Sequence, residues 1–286
     1  MSAILMAVAT YFGWGAGDAF GAIVTRKIGA YRTVLGVMVI TLILFLPLIP
    51  SHIAELTAFT PLLLTITIVL GSVFLLGNLA INEALRRTHA SLALTVFSSY
   101  SALIVILSVI FYHERLTIPQ IISIATIFWG VYFCTYAPQG ARTLTRSHRI
   151  GILWALLGMV SIAVFFTFIK PVVARVGWFW PIYLTSLWLP VVLWIVWKKK
   201  ELNLPKNWKS AAFPLVACTM LLRGGDFFFN AAIDKGLSAV VAPIAGAYPT
   251  LSVILAYLVF REVPTKRQVL GIILALAGIV ALALTQ

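Results

Sequence analysis

Asp18, Arg223 and Asp226 lie deep inside apolar stretches that otherwise carry almost no charge. An ionisable group at bilayer depth costs about 2.5–3.5 kcal/mol on insertion scales, so each marks either a pairing or a function. Arg223 and Asp226 are three positions apart, which brings them together on one helical face. One reading is a self-neutralising structural pair. The other is recognition, with Arg223 anchoring a substrate carboxylate or phosphate in its planar fork while Asp226 steadies it or exchanges a proton. Asp18 stands in Gly13-Trp14-Gly15-Ala16-Gly17-Asp18-Ala19-Phe20-Gly21. Gly13, Gly17 and Gly21 share a face and let a second helix approach closely. Asp18 then either bonds a neighbouring helix or offers its carboxylate to a substrate amine or a proton. No strand precedes these glycines, so they are no nucleotide loop.

Such side chains need helices to position them, and the composition says which kind. The chain is 62% hydrophobic and 10% charged, with a mean hydropathy of +1.04. Soluble domains are about half apolar and a quarter charged, so lipid must cover much of this surface. The net charge of +13 does not point to nucleic acid. The basic residues cluster between apolar runs, as in loops that face an anionic membrane surface. Cys134 and Cys218 lie inside apolar runs and imply no disulfide framework. His52, His89, His113 and His148 fall at or near run ends, so neither a metal site nor a cofactor is expected. The first apolar stretch lacks a basic leader and outlasts a signal peptide, and reads as a retained helix.

Ten runs are each long enough for a membrane span of about 20 residues. They cover 3–25, 31–50, 61–84, 91–112, 118–137, 150–172, 177–197, 210–233, 238–260 and 266–285. Pro47 and Pro50 end the second, and Pro138 and Gly140 end the fifth. Alternation of the kind a membrane barrel needs is missing. The expected fold is an all-α integral membrane protein of ten transmembrane helices.

The second half repeats the first. Residues 77–133 fall without a gap on 225–281, an offset of 148. Gly77, Asn82, Ala84, Tyr100, Glu114, Thr117, Gln120, Ile124 and Gly130 match Gly225, Asn230, Ala232, Tyr248, Glu262, Thr265, Gln268, Ile272 and Gly278. Hydrophobicity alone aligns Leu with Leu, not Tyr, Asn, Glu and Gln at one offset. Two units follow, 1–140 and 149–286. Five spans per unit is an odd number, so the second enters the membrane inverted and a substrate site is expected near the midplane between them.

The repeat adds candidates. Asn78 is the counterpart of Asp226, and Asn230 repeats Asn82; interhelical hydrogen bonding is the simpler reading of the Asn82/Asn230 pair. Tyr100 and Tyr248 mark equivalent points in the fourth and ninth spans. Pro243 and Pro249 flank Tyr248 and remove backbone donors, making them candidates for a kink that either gates or statically shapes a cavity. Ser98, Ser99 and Ser101 form a polar stripe in the equivalent helix. Trp14, Trp154, Trp188, Phe165 and Phe166 fall inside spans, while Trp178, Trp180, Trp197 and Trp208 read as interfacial anchors. Lys170 is expected to snorkel to the surface, and Glu114 and Glu262 to pair with loop bases on opposite faces. The cavity candidates are thus Asp18, Trp14, Asn78, Tyr100, Arg223, Asp226, Asn230 and Tyr248.

The run from Ala242-Pro243 through Tyr248-Pro249 to Glu262, followed by Gln268 and Gly271-x₆-Gly278, resembles the last two helices of the EamA family in the drug/metabolite transporter superfamily. The first repeat carries Tyr100, Glu114 and Gly130 at the same places, with Ser101 for the proline and Ser123 for the first glycine. Phe12-Gly13-Trp14-Gly15 is similar to the family's Trp-Gly in its first helix. The resemblance implies a ten-helix secondary transporter whose central cavity is lined by both repeats. It also implies small-metabolite substrates such as amino acids, nucleosides or drugs, often moved outward.

The expected function is alternating-access transport of a small metabolite, with export favoured, by a multi-pass protein of the cell membrane and not by an enzyme. Protons are a candidate coupling ion; exchange and facilitated transport stay open. No Walker motif is present. A channel or facilitative pore is the alternative, and a membrane-embedded enzyme a more distant one. Asp18, Arg223 and Asp226 would suit a zwitterion, and the aromatics a larger apolar solute. Both halves are in one chain, so a monomer suffices. Loops after odd-numbered spans hold sixteen basic residues and the others four. That puts the termini outside by the positive-inside rule, whereas the resemblance implies cytoplasmic termini.

Overall fold

Backbone in a lipid core must satisfy its own hydrogen bonds, and helices do so within one segment. The computed structural model describes residues 2–88, 90–135, 146–200, 203, 208–260 and 263–285. Among them every regular element is helical. Pro138, Gly140, Arg142, Lys206, Arg261, Glu262 and His89 lie outside the described residues.

Helix α1 (Ala3–Ile28) is started by the Ser2 side chain, which accepts from the Leu5 amide, and ends at Gly29. Gly29 holds φ 88°, a conformation that favours glycine, and turns the chain at once into α2 (Ala30–Leu44). A 3₁₀ turn at Leu46–Leu48, α3 (Ile49–His52) and a second 3₁₀ stretch (Ile53–Ala58) follow. Thr60 caps α4 (Pro61–Arg87), which places proline in its first turn and Arg86 and Arg87 in its last. The fourth apolar run divides into α5 (Ala90–Ser98) and α6 (Tyr100–Tyr112). Next come α7 (Ile118–Thr135), α8 (Arg146–Phe168) and α9 (Lys170–Val176). The seventh run is α10 (Phe179–Tyr183), a 3₁₀ turn (Leu184–Trp188) and α11 (Leu189–Lys198). After α12 (Trp208–Lys235), the ninth run divides into α13 (Ser238–Gly246) and α14 (Tyr248–Phe260). A capping box of Thr265 and Gln268 opens α15 (Lys266–Leu284).

Eight of the ten expected spans are helices long and apolar enough to cross a membrane. The fourth is shorter, Val96–Tyr112. The first, α1, has the length at 26 residues but is made more polar by Asp18 and its glycines. Several expected runs are therefore interrupted helices rather than single rods. Proline sits in the first turn of α9 and of α11, where a missing amide costs nothing, and so marks each restart.

Three close helix pairs organise the core: α1 with α12, α4 with α8, and α7 with α15. Small residues permit them. A Cβ on Gly13 would lie 2.8 Å from the Leu221 carbonyl oxygen, and one on Gly130 only 2.4 Å from the Ala275 nitrogen. The Gly13 face of α1 is thus a packing seam. The offset of 148 carries α1 onto α8 and α4 onto α12, so the first two pairs are one pairing with the repeats exchanged. Outside, Ile43, Leu62, Phe111, Trp129, Leu153 and Phe213 are exposed, as a lipid-facing surface requires.

Candidate functional site

The fourth and ninth runs break at Ser99 and Ala247, each one residue before its tyrosine. In the ninth the cause is Pro249, which has no amide to return to Ala245 and whose ring crowds the preceding turn. The Thr250 amide and hydroxyl both donate to the Ala247 carbonyl instead, at 3.0 and 2.8 Å. Pro243 is buried inside α13, which runs through it unbroken. In the fourth run Ser101 replaces the proline, and its hydroxyl donates to the Ser98 carbonyl at 3.4 Å. The two broken helices cross here, because a Cβ on Gly246 would lie 2.4 Å from that of Ser101.

Beside the crossing is a cavity of about 340 Å³. Asp18 reaches it from α1, Leu94 and Ser98 from α5, Cys134 and Thr135 from the end of α7. Tyr248, Pro249, Ser252 and Val253 come from α14, Gln268 from α15, and Val263 and Pro264 from just before it. Val263 is 81% exposed, so the cavity reaches the surface at that end. Asp18 is the single charged side chain among the described lining residues. It is exposed to the cavity and makes no hydrogen bond or ion pair with the described residues. The seam of Gly13 and Gly17 packs on α12 while Asp18 points off it, so of the two readings of Asp18 the bond to a neighbouring helix is not formed.

Arg223 and Asp226 pair as their spacing predicts, Nη1 donating to Oδ2 at 2.9 Å. The Trp14 indole donates to the other carboxylate oxygen at 2.9 Å. Arg223 Nε donates to the Thr41 hydroxyl at 3.3 Å, and its guanidinium lies 5.6 Å from the centre of the Phe74 ring. Arg223 and Asp226 are 7% and 5% exposed. Each charge is therefore satisfied inside the protein, and neither residue lines the cavity. Trp14 ties the network to the cavity wall. It stacks on Phe229 at 5.3 Å and meets Tyr100, Phe166 and Tyr248 at 6.4, 5.3 and 6.0 Å. Of the aromatic candidates, Tyr248 lines the cavity, while Tyr100 and Trp14 are buried behind it.

The remaining candidates lie elsewhere. The Asn78 side chain donates back to the Phe74 carbonyl within α4 at 2.9 Å, and Asn82 to Asn78 at 2.8 Å. Interhelical bonding therefore does not describe Asn82. Asn230 donates to the Trp178 carbonyl at 3.2 Å, toward the other face.

That face is packed shut. Glu114, 7% exposed, accepts from Lys170 Nζ at 2.6 Å and from the Ser238 and Ala239 amides at 3.0 and 2.8 Å. It thereby caps the start of α13, where the helix dipole favours an anion. Lys170 does not snorkel: its ammonium is consumed by Glu114 and the Gly236 carbonyl. Neither does Trp180 serve as an interfacial anchor. It is buried and donates to the His52 carbonyl at 2.8 Å, and Trp178 packs on His52 and Phe227. Trp197 and Trp208 are exposed, as anchors are. Sequence reasoning passed over Thr41, Phe74 and Ser252, whose types carry no signal. It singled out Gln268 only as a repeat match, not as cavity lining. Among the described residues no three His, Cys, Asp or Glu side chains gather as a metal site.

A sequence model of the EamA-like transporter family matches residues 1–136 and again 149–284. An uncharacterized transporter of Archaeoglobus fulgidus is 26% identical over 292 residues, covering 99% of each chain. A solved crystal structure has the same fold at a TM-score of 0.75, with 18% identity over 97% of this chain and 96% of that one.

Proposed function

The chain belongs to the EamA-like transporter family, and from that premise we propose that it moves a small solute by alternating access. It is a multi-pass protein of the cell membrane and a membrane transporter. In our reading, ten spanning helices form two inverted five-helix halves, 1–140 and 149–286, that rock about the Asp18 cavity. The observation that carries this reading is the cavity itself. Its lining comes from both halves, it reaches the surface at Val263, and the opposite face is sealed around Glu114. A carrier needs such a one-sided site, whereas a pore needs a continuous path. The twofold family match, the exchanged helix pairs and the equivalent breaks at Ser99 and Ala247 support the inverted repeat.

The mouth lies at the end of the molecule that carries most of the basic loop residues. The positive-inside rule makes that end cytoplasmic, so this conformation is open to the cell interior, and export is the direction we propose. Pro249 and the Ser99 break are the hinges on which α13 and α14, and α5 and α6, change angle.

Counterflow in proteoliposomes tests the reading. Vesicles loaded with one unlabelled metabolite at a time should transiently accumulate the labelled form, with saturation, and Asp18→Asn should lose that accumulation. A flux that rises linearly with concentration and shows no counterflow would replace the carrier with a pore.

A further inference from the structure

We infer that the cavity selects organic monocations: a single ammonium head on an apolar body. This rests on the transporter reading and names its substrate class. The Asp18 carboxylate is open to the cavity and unpartnered among the described residues, and no base accompanies it in the described lining. Among the described residues, the two bases drawn into the protein interior are already committed. Arg223 is held by Asp226 and Thr41, and Lys170 by Glu114 and Gly236.

An anionic solute would therefore meet a like charge in a site of low dielectric, and a zwitterion would leave its carboxylate without a counter-charge. A neutral solute would leave Asp18 to be neutralised by a proton alone. A monocation resolves the charge. Ser98 and Ser252 line the cavity with hydroxyl-bearing side chains that can accept from its N–H groups, Tyr248 adds aromatic surface, and Leu94, Pro249 and Val253 cover an apolar body. The volume of about 340 Å³ is at the small end of ligand pockets, which suits a one-ring amine.

Four probes sharing one body separate the possibilities: 2-phenylethylammonium, 2-phenylethanol, phenylalanine and 3-phenylpropanoate. Binding to the purified full-length protein is measured by calorimetry, on wild type, Asp18→Asn and Asp18→Glu, with counterflow of each binder in vesicles. The ammonium is expected to bind wild type most tightly. It should weaken about tenfold or more in Asp18→Asn, as loss of a charge-assisted contact requires, and recover in part in Asp18→Glu. Asp18 bonds nothing in the described fold, so the unliganded variants should melt near wild type. Tighter binding of phenylalanine, 3-phenylpropanoate or the alcohol overturns the cation class, as does undiminished ammonium binding to Asp18→Asn or no binding of any probe to wild type. A neutral or zwitterionic binder that exchanges in vesicles would leave the transporter standing without this selectivity. An ammonium that binds through Asp18 and never exchanges would do the reverse.

Discussion

Ser99 and Ala247, 148 positions apart, hold nearly one backbone conformation, with φ and ψ of −69° and −3° and of −76° and −1°. Each interrupts a helix just before a tyrosine, and only one of them has a proline to cause it. The break thus belongs to the architecture, with Pro249 enforcing it in one copy and Ser101 in the other. Pro249→Ala restores the missing amide and removes a penalty of up to about 3 kcal/mol against a continuous helix. Pro249 also lines the cavity, so we expect counterflow to slow by more than any loss of binding affinity, from vesicle exchange and calorimetry on the same preparation. An unaltered rate would assign Pro249 to static shaping.

The Arg223–Asp226 pair is buried, and removing one member strands the other. Asp226→Ala is expected to destabilise the protein by about 3–5 kcal/mol, the usual cost of an orphaned buried charge. Arg223→Met combined with Asp226→Leu should be less damaging than Asp226→Ala alone, because no charge is left behind. Denaturation in detergent reads both. A neutral Asp226→Ala would mean that water or a ligand already serves Arg223.

Glu114 fastens α6 and α7 to the start of α13. Glu114→Gln weakens its hold on Lys170 and on two amides at once, so the sealed face should open more often. In a background of Cys134→Ser and Cys218→Ser, a cysteine introduced at Ser238 should react faster with a membrane-impermeant maleimide once Glu114→Gln is added. Equal rates would show that the surrounding aromatic packing closes this face by itself.

Close approach at Gly130 predicts a sharp contrast with Gly224. Gly130→Ala drives a methyl into the α15 backbone and should cost about 1–3 kcal/mol, as overpacking does. A Cβ on Gly224 meets nothing within 4 Å, and Gly224→Ala should gain up to about 1 kcal/mol from helix propensity. Thermal unfolding of the two variants side by side decides it, and equal effects would contradict the α7–α15 contact.

Much was legible from residue types alone. Long apolar runs demand helices in lipid, glycines every fourth residue demand close helix contact, and Arg223 three before Asp226 demands a pair. Identical Tyr, Asn, Glu and Gln residues at one offset exposed the repeat, because polar residues do not align by chance hydrophobicity. These are local rules or self-comparisons, and they need no knowledge of which helix lies beside which.

What stayed hidden depended on long-range packing. Asp18, Arg223 and Asp226 looked alike as intramembrane charges, yet the fold consumes two of them and leaves Asp18 open to a cavity. Trp14 brings its indole to Asp226 across 212 positions, and Thr41 meets Arg223 across 182. Lys170 had a flexible stem and could have reached the surface; only the nearness of Glu114 turned it inward. Sequence sets which groups must find partners. Tertiary structure decides which of them do, because a side chain's satisfaction depends on neighbours that no local pattern records.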